Sequence, residues 1–224
     1  EYMKKKKIVC LIPARSGSTR IPNKNIILLN KKPLISYSLN SALKSRKIKK
    51  VYVSTNSKKI IKTLKKFKNK KLVITNRSKK SETKFAQTEL LLNEFCKRFE
   101  FDILVLLQLT NIFISSKTLD MAINKFIKSK ADSLISVVNF PNFIWKTKNK
   151  FIEPFNYNPL NRPRSQDLKN FFLENGSFYI FTRKGYLNYK NRIHGNTTYF
   201  QMPKKSYFDI DTFEDLNLVK KLIS

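Results

Sequence analysis

Short apolar runs alternate with segments of helical periodicity through the first 140 residues of the chain. The apolar runs are rich in β-branched residues, and each intervening segment is long enough for a helix. This alternation is typical of βαβ units around a mostly parallel sheet, so the pattern predicts an α/β fold. The predicted strands cover residues 7–12, 50–54, 72–75, 103–108 and 133–138.

Two of the intervening segments carry apolar residues at helical spacing, which gives each predicted helix one face to bury. The first stripe follows Pro33, which suits the start of a helix. The two stripes are Ile35, Leu39, Ala42 and Leu43, and Leu119, Ile123, Phe126 and Ile127. Ligands bind at the carboxyl ends of the strands in such folds, so we expect the loops at 13–25, 54–57 and 108–116 to meet in one crevice.

The alternating pattern stops between residues 139 and 170, where Pro, Asn and aromatic residues dominate. A strand is predicted again at 177–181 and a helix at 213–223. We interpret 139–170 as an excursion from the sheet, and its composition fits an oligomerisation arm and an active-site lid equally well. Because the chain shows neither an internal repeat nor a low-complexity linker, we expect residues 3–224 to form a single domain.

The charge of the chain is strongly positive, with 46 Lys and Arg against 15 Asp and Glu in 224 residues, a formal net charge of +31. Such a charge would ordinarily favour nucleic-acid binding. The lysines are, however, scattered through every segment and accompany abundant Asn, Ile and Phe, a pattern that an AT-rich genome imposes. We therefore expect no specific nucleic-acid partner, although the positive field would attract small anionic substrates.

The two cysteines, Cys10 and Cys96, offer neither metal-ligand spacing nor a disulfide framework, which favours a reducing cytoplasm. The basic and apolar start imitates a signal peptide, but Arg15 interrupts the apolar stretch and a small-residue cleavage site is lacking. Apolar runs of about 20 residues, as a membrane helix needs, are absent from the sequence. The sequence thus predicts a soluble cytoplasmic protein.

The first predicted strand runs into a basic loop that is rich in hydroxyl groups, residues 13–25. Gly17 lies between Ser16 and Ser18 and is one of only four glycines, which suggests a sharp bend or a close approach to a ligand. Backbone N–H groups, hydroxyls and three cations suit a triphosphate. The loop matches neither GxxxxGK[ST] nor GxGxxG, and a solvated surface loop is the alternative.

Asp209 and Asp211 lie two residues apart in an apparently extended segment, where alternate side chains share a face and can reach one cation. Carboxylate oxygens suit Mg²⁺ that bridges phosphates. The alternative is a helix cap, because Asp211 and Thr212 lie where an N-cap would be and Asp215 completes a capping-box spacing. The spacing alone favours the cap.

Arg162 and Arg164 flank Pro163 in a stiffened stretch, and guanidinium groups bind carboxylate or phosphate bidentately. Exposed loop arginines, however, often serve only solubility. Gln108 ends the fourth strand with a side chain that can hydrogen-bond a base or a sugar. The lone histidine, His194, is interpreted as a loop residue rather than a general base.

Taken together, these segments resemble the acylneuraminate cytidylyltransferases, the CMP-sialic acid synthetases, in order and spacing over nearly the whole chain. The matching segments are Ile12-Pro-Ala-Arg-Ser-Gly-Ser with Ile21-Pro-Asn-Lys-Asn25, Val53-Ser-Thr-Asn56, Arg162-Pro-Arg-Ser-Gln-Asp167, Glu174-Asn-Gly-Ser-Phe-Tyr179 and Phe208-Asp-Ile-Asp211. The resemblance implies a three-layer αβα nucleotidyltransferase-like fold, a homodimer with 139–170 as a dimerisation or lid excursion, and Mg²⁺ as cofactor. It also implies that CTP is joined to a nine-carbon α-keto acid sugar, with release of pyrophosphate.

The resemblance further implies roles for individual residues. Those expected to contact CTP are Arg15, Ser16, Gly17, Ser18, Lys24, Asn25, Arg77 and Thr88. Those expected to contact the acidic sugar are Gln108, Arg162, Arg164, Gln166 and Asn175. Arg15, Lys24 and Arg164 are expected to act in catalysis, and the metal-binding interpretation of Asp209 and Asp211 now replaces the cap.

Three departures from the family pattern affect the expected sugar pocket more than the nucleotide site. The usual Gln-x-Thr-Ser-Pro turn appears as Gln108-Leu-Thr-Asn-Ile112, and Lys84 stands where many members carry an acidic residue. A histidine expected near residues 139–143 is also replaced. An altered acyl group, or legionaminic or pseudaminic acid, would fit these changes. The alternatives are a CMP-Kdo-type enzyme, a degenerate homologue that only binds nucleotide, and a basic nucleic-acid-binding protein.

Overall fold

The central sheet of the computed structural model has seven strands within the residues that the structure describes, which are 6–15, 17–18, 20–82 and 87–223. The strands of this sheet are β1 (Ile8–Pro13), β4 (Lys50–Ser54), β5 (Leu72–Thr75), β6 (Ile103–Leu107), β7 (Ser133–Asn139), β10 (Phe172–Thr182) and β11 (Thr197–Gln201). Strands β2 (Leu28–Leu29) and β3 (Lys32–Pro33) form a separate two-stranded sheet. Strands β8 (Trp145–Lys148) and β9 (Phe151–Pro154) form a third sheet, a hairpin.

The strand order in the large sheet is β11-β7-β10-β6-β1-β4-β5. Strand β10 is antiparallel to both of its neighbours, and the other pairs described in this sheet are parallel. The mostly parallel sheet predicted from the alternating pattern is therefore confirmed. The carboxyl ends of β1, β4, β5 and β6 lie at one edge, where the predicted binding loops begin.

The helices cover both faces of this sheet. They are α1 (Leu34–Lys44), α2 (Lys58–Leu64), α3 (Lys79–Glu82), α4 (Thr88–Arg98), α5 (Ser116–Ser129), α6 (Arg183–Tyr189) and α7 (Phe213–Leu222). Successive side chains of β1 alternate between the faces. Cys10 and Ile12 pack in the core under α1, α2 and α5, whereas Val9 and Leu11 pack in the core under α4 and α6. The predicted three-layer arrangement is confirmed.

A smaller apolar cluster holds the loop that follows β1. Ile21 from that loop is fully buried against Ile210 and against Leu216 and Val219 of α7. Ile210 also donates its backbone N–H to the Thr110 carbonyl at 3.0 Å. The cluster thereby fixes the basic loop beside the segment that carries Asp209 and Asp211, although nearly 190 residues separate them along the chain.

Most of the predicted strands lie within a residue or two of the observed ones, and β4 and β5 have the predicted bounds. Strand β11 was not predicted, although Thr197-Thr-Tyr-Phe-Gln201 is β-branched and aromatic. Strand β10 begins at Phe172, five residues before the predicted start. Its register against β7 shifts between Glu174 and Tyr179. That irregularity hides the alternation in the sequence.

The excursion, residues 139–170, contains the β8–β9 hairpin and two short 3-10 helices, Pro159–Asn161 and Ser165–Asp167. Several of its large apolar side chains face solvent, with Phe151 78% and Leu160 95% exposed. Residues 140–170 contribute no strand to the seven-stranded sheet, since β7 ends at Asn139 and β10 begins at Phe172; their role as a dimerisation arm or a lid stays a prediction. Over the part of the chain that the structure describes, a helix long and apolar enough to cross a membrane does not occur.

Candidate active site

A cleft of about 350 Å³ opens at the carboxyl ends of β1 and β6. The loop after β1, the residues after β6, the start of α4 and Asp211 form its walls, so the predicted meeting of the loops at 13–25 and 108–116 is confirmed. Among the described residues that line it, four carry a positive charge: Arg15, Arg20, Lys24 and Arg77. The cleft is therefore cationic, as a site for a polyanion should be.

The loop at 54–57 does not contribute to the described walls of the cleft, but it holds a residue that does. The Asn56 side chain accepts a hydrogen bond from the Arg77 backbone N–H and donates one to the Arg77 carbonyl, both at 2.9 Å. In addition, the Arg77 guanidinium donates to the Ser81 carbonyl at 2.6 Å. Arg77 is thus fixed from both its backbone and its side chain, at the edge predicted for ligand binding.

The basic loop is held in shape by its own polar groups. The Asn25 amide donates to the Arg15 carbonyl at 2.8 Å, and Asn23 adopts a left-handed backbone conformation, with φ of 53°, before the turn at Lys24–Ile26. Gly17 is exposed, and a Cβ there would meet no described atom within 4 Å, so packing within the chain does not require glycine. Ser16 lies outside the described residues.

Lys24 is a largely enclosed cation at the wall of the cleft. Its Nζ donates to the Ile210 carbonyl and to Asp211 Oδ1, both at 2.9 Å, and its side chain is 13% exposed. Arg20 donates to Asp211 Oδ2 at 3.2 Å from the other side. One carboxylate therefore bridges two cations at the wall of the cleft.

The helix cap and the candidate metal ligand proved to be different residues. Thr212 is the N-cap of α7, and its hydroxyl accepts from the Asp215 N–H while the Asp215 carboxylate accepts from the Thr212 N–H. Burial would raise the pKa of Asp215, but these hydrogen bonds outweigh it and hold the pKa below its ordinary value. The Asp211 side chain is free of the capping role and turns to the cleft.

Asp209 lies deeper than Asp211. Burial raises the pKa of its carboxyl above the ordinary value, and the charge of Asp211 acts in the same direction, although a hydrogen bond with Thr110 opposes both. Asp209 Oδ1 is buried and has no hydrogen-bond partner among the described residues. Buried carboxylate oxygens ordinarily have partners.

The donor set of Asp209 and Asp211 fits Mg²⁺. This ion is typically held by one or two carboxylates together with substrate phosphates, rather than by a full protein cage. The unpartnered oxygen of Asp209 offers one such ligand, and Asp211 offers the other at the wall of the cationic cleft. A cluster of three or more His, Cys, Asp or Glu side chains suited to a metal is absent from the described part of the chain.

The structure brings together a majority of the predicted site residues and separates the others. Those that line the cleft are Arg15, Ser18, Lys24, Asn25, Arg77, Thr88, Gln108 and Asp211. The residues predicted to bind the sugar from the excursion, Arg162, Arg164 and Gln166, are not among the described lining residues. Lys84, the departure noted in the sequence, lies outside the described residues.

In the excursion, the predicted sugar-binding side chains have local partners. Arg162 lies over the Phe143 ring, with its guanidinium carbon 4.0 Å from the ring centroid. Arg164 donates to Asp167 at 2.8 Å, and its side chain remains 75% exposed. Gln166 borders a separate shallow depression beside Phe143. Their contact with an acidic sugar remains a prediction.

Asn175 is buried, and its amide groups are already hydrogen-bonded inside the protein. Its Oδ1 accepts from the Ser136 hydroxyl at 2.7 Å, and its Nδ2 donates to the Ser206 hydroxyl at 2.9 Å. Asn111 donates to the Ser206 carbonyl from the loop after β6. These bonds hold the Lys204–Tyr207 turn, which leads to Asp209, against the sheet. The structure therefore supplies Asn175 with a supporting role that the sequence did not suggest.

Arg20 is the one charged residue of the described cleft lining that was not predicted from the sequence. Its place in the same loop as Arg15 and Lys24 was the available signal, but its partner Asp211 lies 191 residues away. The lone histidine, as interpreted, lies in a loop, where its Nδ1 is 2.8 Å from the Asn191 carbonyl oxygen and its ring stacks on Tyr189.

Comparison with known proteins agrees with this geometry. The family model described as cytidylyltransferase matches residues 9–223. The chain is 34% identical over 213 residues to N-acylneuraminate cytidylyltransferase A of Danio rerio, an alignment that covers 93% of this chain and 49% of that protein. It is 30% identical over 225 residues to the pseudaminic acid cytidylyltransferase of Campylobacter jejuni, with 96% of each chain covered. The chain thus spans about half the length of the Danio relative and nearly all of the Campylobacter one.

Solved structures with the same fold include a CMP:2-keto-3-deoxy-manno-octonic acid synthetase complexed with CTP, with a TM-score of 0.68, 19% identity and coverage of 97% of this chain and 98% of that one. The 4-diphosphocytidyl-2C-methyl-D-erythritol synthase of Anaerococcus prevotii has a TM-score of 0.72 at 14% identity, with 98% and 96% covered. At these identities the likeness extends to the fold alone. Because the family model spans almost the whole chain and its relatives align along it, the chain belongs to the cytidylyltransferase family.

Proposed function

We propose that this nucleotidyltransferase transfers the cytidylyl group of CTP to a nine-carbon, sialic-acid-like α-keto acid sugar, which yields a CMP-sugar and pyrophosphate. The observation that carries the proposal is the convergence of Arg15, Lys24 and Arg77 on one cleft in a chain that matches the cytidylyltransferase family over residues 9–223. Family membership disfavours the alternative of a nucleic-acid-binding protein without catalysis.

The cleft suits a nucleoside triphosphate. The cations of the loop after β1 would neutralise the phosphates, because oriented donors in an enclosed site stabilise charge strongly. Elsewhere in the lining of the cleft, Thr88, Leu91 and Gln108 offer a hydroxyl, an apolar surface and an amide, which suit a nucleoside. These groups would hold both the phosphates and the nucleoside of CTP in one cleft.

The proposed reaction is an in-line displacement. The oxygen of the sugar's anomeric hydroxyl forms a bond to the α-phosphorus of CTP, and the bond from that phosphorus to the bridging oxygen of pyrophosphate breaks. The hydroxyl proton leaves to solvent or to the departing pyrophosphate. Arg15 and Lys24 would stabilise the charge that grows on the leaving group, so that positioning and electrostatics suffice without a protein nucleophile.

Asp209 and Asp211 would hold Mg²⁺ beside these phosphates. When bound, the ion would neutralise phosphate charge and help to orient the reacting groups. Asp209 would supply its unpartnered Oδ1 from within the protein, and Asp211 would supply a carboxylate at the wall of the cleft. The backbone between them is fixed by the Ile210 N–H, which donates to the Thr110 carbonyl.

A nine-carbon acid is favoured over the eight-carbon Kdo. The two relatives described above, whose names specify acylneuraminate and pseudaminic acid, are 34% and 30% identical to this chain over 213 and 225 aligned residues. The Kdo enzyme shares the fold at 19% identity. Arg162 and Arg164 are the guanidinium groups proposed to bind the acid's carboxylate.

The excursion is proposed to join two copies of the chain. Phe151, Ile152, Phe155 and Leu160 expose large apolar surfaces within this one protruding segment. Exposed apolar patches of this kind mark interaction sites. Light scattering after size-exclusion chromatography should give twice the monomer mass of 26.4 kDa. A monomer at micromolar concentrations would refute the dimer.

The cytoplasm is the proposed location. Both cysteines, Cys10 and Cys96, are free and buried, and burial raises the pKa of the Cys96 thiol to about 12. Such thiols fit a reducing compartment. Because a soluble nucleotide and an acidic sugar are the proposed substrates, a membrane partner is not expected.

Pyrophosphate release tests the proposed reaction directly. The purified protein would receive CTP, Mg²⁺ and in turn N-acetylneuraminic, legionaminic, pseudaminic and Kdo acids, with ATP, GTP and UTP as nucleotide controls. We expect release with CTP and one nine-carbon acid. Release with Kdo alone would favour the eight-carbon alternative, and CTP binding without release from any acid would favour a degenerate homologue. Binding of duplex nucleic acid, with neither CTP binding nor pyrophosphate release, would refute the proposal.

A further inference from the structure

The wall of the cleft contains an ion-pair triad that the proposed reaction does not itself require. Asp211 Oδ1 lies 2.9 Å from Lys24 Nζ, and Asp211 Oδ2 lies 3.2 Å from Arg20 Nη1. Each carboxylate oxygen thus contacts a different cation. All three side chains line the same cleft, and the two cations come from the loop that the sequence marks as phosphate-binding.

We propose that Asp211 is a displaceable counter-ion of Arg20 and Lys24, and that this competition makes the cleft select metal-bound CTP over metal-free CTP. The inference rests on the proposed function. It adds Arg20 to the residues that hold phosphate, and it assigns Asp211 a role in nucleotide selection besides that of metal ligand.

Geometry makes the competition unavoidable. A phosphate that approaches Arg20 and Lys24 meets donors already directed at Asp211, and it brings negative charge toward a carboxylate that is 43% exposed. Two anions at one pair of cations repel each other. Metal-free CTP must therefore break the ion pairs and leave Asp211 beside its phosphates.

A divalent cation removes this penalty. When Lys24 and Arg20 bind phosphate instead of Asp211, the Asp211 carboxylate loses both of its ion pairs. A metal ion bound to the nucleotide would then balance the charge of this carboxylate. The metal and the phosphates then reinforce each other's binding, as linkage between two ligands requires. Asp211 thus disfavours CTP alone and favours CTP with its metal.

Asp209 provides the contrast within the same segment. Its carboxyl is a hydrogen-bond partner of Thr110 and makes no described ion pair with Arg20 or Lys24. Its charge also acts on Lys24, but through space rather than through a direct ion pair. The variants Asp211→Asn and Asp209→Asn therefore separate direct competition from a general change of electrostatic potential.

Calorimetric titration with CTP in excess EDTA tests the proposal, since this measurement involves neither metal nor turnover. We expect Asp211→Asn to bind metal-free CTP about fivefold more tightly than the wild type, and Asp209→Asn to change the affinity by less than about twofold. Asp167→Asn, which removes a carboxylate outside the cleft, is the control for net charge. Unchanged or weaker binding by Asp211→Asn, or equal tightening by Asp209→Asn, would overturn the proposal.

Arg20→Gln gives a second measurement, and in the wild-type background this measurement does not depend on the folding of the Asp211 variant. It should weaken binding of metal-free CTP by about threefold, and by more in the Asp211→Asn background, where the ion pair of Arg20 with residue 211 is gone. Equal affinity with and without Arg20 in both backgrounds would remove Arg20 from the phosphate site.

The failure of this inference can be distinguished from failure of the proposed function. If the wild type releases pyrophosphate from CTP and Mg²⁺ but Asp211→Asn shows no gain for metal-free CTP, only the competition is refuted. If the wild type binds CTP neither with nor without Mg²⁺, the proposed function and the inference fall together.

Discussion

The cleft and the excursion both contain arginines predicted to bind anions, but the surroundings of these arginines differ between the two regions. In the cleft, Arg15 and Arg20 from the loop after β1 and Arg77 from the segment after β5 converge on one volume. In the excursion, Arg164 pairs with Asp167 three residues away, and Arg162 lies over an aromatic ring. The cleft is assembled by the sheet, whereas the excursion is organised by neighbours along the chain.

The difference concerns how each region obtains its shape. Strand order brings the loops of the cleft together, and the cluster around Ile21 and Ile210 holds them there. The excursion lies outside the main sheet and exposes Phe151 and Leu160. A nucleotide site can therefore be complete within one chain, while we expect the sugar side to gain its final shape from substrate or a second copy. Five predictions test this contrast.

The largest effect is expected for Asp211→Ala. Loss of a candidate metal ligand should lower the rate of pyrophosphate release by about 1,000-fold. Thermal unfolding should change little, because Thr212 and Asp215 supply the cap of α7. Full activity of this variant would refute the metal assignment on the cleft side of the comparison.

Arg164→Ala tests the excursion side. If this guanidinium binds the carboxylate of the sugar acid, the KM for the acid should rise by about 30-fold. This increase corresponds to the loss of about 2 kcal/mol, which is typical of a hydrogen bond between charged groups. The KM for CTP should stay near that of the wild type, because Arg164 is not among the described residues of the cleft. Arg46→Ala, at an exposed arginine outside both regions, is the matched control. An unchanged KM for the acid would exclude Arg164 from the site.

The double substitution Phe151→Ser and Leu160→Ser tests whether the exposed apolar surface is an interface. We expect the dissociation constant of the dimer to rise by at least about tenfold, because apolar anchors dominate interfaces. Met121→Ser changes an exposed apolar residue on α5 and should leave the dimer intact. Sedimentation equilibrium measures both. A dimer that survives the double substitution must use another surface.

Thr212→Ala isolates the local support of the segment that carries Asp211. Loss of the cap should cost about 1 kcal/mol and lower Tm by about 2–4 °C. Ser115→Ala removes the equivalent cap of α5, where the Ser115 hydroxyl accepts from the Thr118 N–H at 3.0 Å, and should cost a similar amount. Only the first variant should also slow turnover. Equal activity of the two variants would show that the cap does not position Asp211.

The smallest effect is expected for Asp209→Asn, through pH-dependent stability. Because burial raises the folded-state pKa of Asp209, the folded protein binds the proton more tightly than the unfolded chain. The ionised carboxyl therefore destabilises the fold, by an amount that is absent below the ordinary pKa and grows as pH rises through the folded pKa. The asparagine variant should raise Tm by about 1–2 °C at pH 7.5 and by nothing near pH 3. A lower Tm at pH 7.5 would contradict the assigned burial cost.

The sequence predicted the parts of the fold that local chemistry controls. Residues 50–54 and 72–75 are short β-branched runs, and their strands have the predicted bounds. The start of β10 was missed because its irregular pairing between Glu174 and Tyr179 removes the alternation. Strand β11 was missed because a short strand after a loop has little periodicity of its own and takes its conformation from pairing with β7.

The candidate site shows the same division. Arg15, Lys24 and Asn25 were predicted from one continuous motif, and all three line the cleft. Asn175 was predicted as a sugar ligand, but its amide is bonded to Ser136 and Ser206, and those partners could not be identified without the fold. Arg20 was missed because the sequence of a basic loop does not distinguish one arginine from another. What distinguishes Arg20 is its ion pair with Asp211, which lies 191 residues away along the chain.

The sequence by itself determined the alternating α/β pattern, the basic loop after β1, the capping box of α7 and the family to which the chain belongs. Each of these depends on residues that lie close together along the chain or on motifs in a given order. The tertiary structure alone decided that Asp211 bridges Lys24 and Arg20, that Asp209 is buried with an oxygen that has no partner among the described residues, and that Arg164 is not among the described residues that line the cleft. Those facts depend on contacts between distant segments, and burial and charge pairing arise only when such segments pack together.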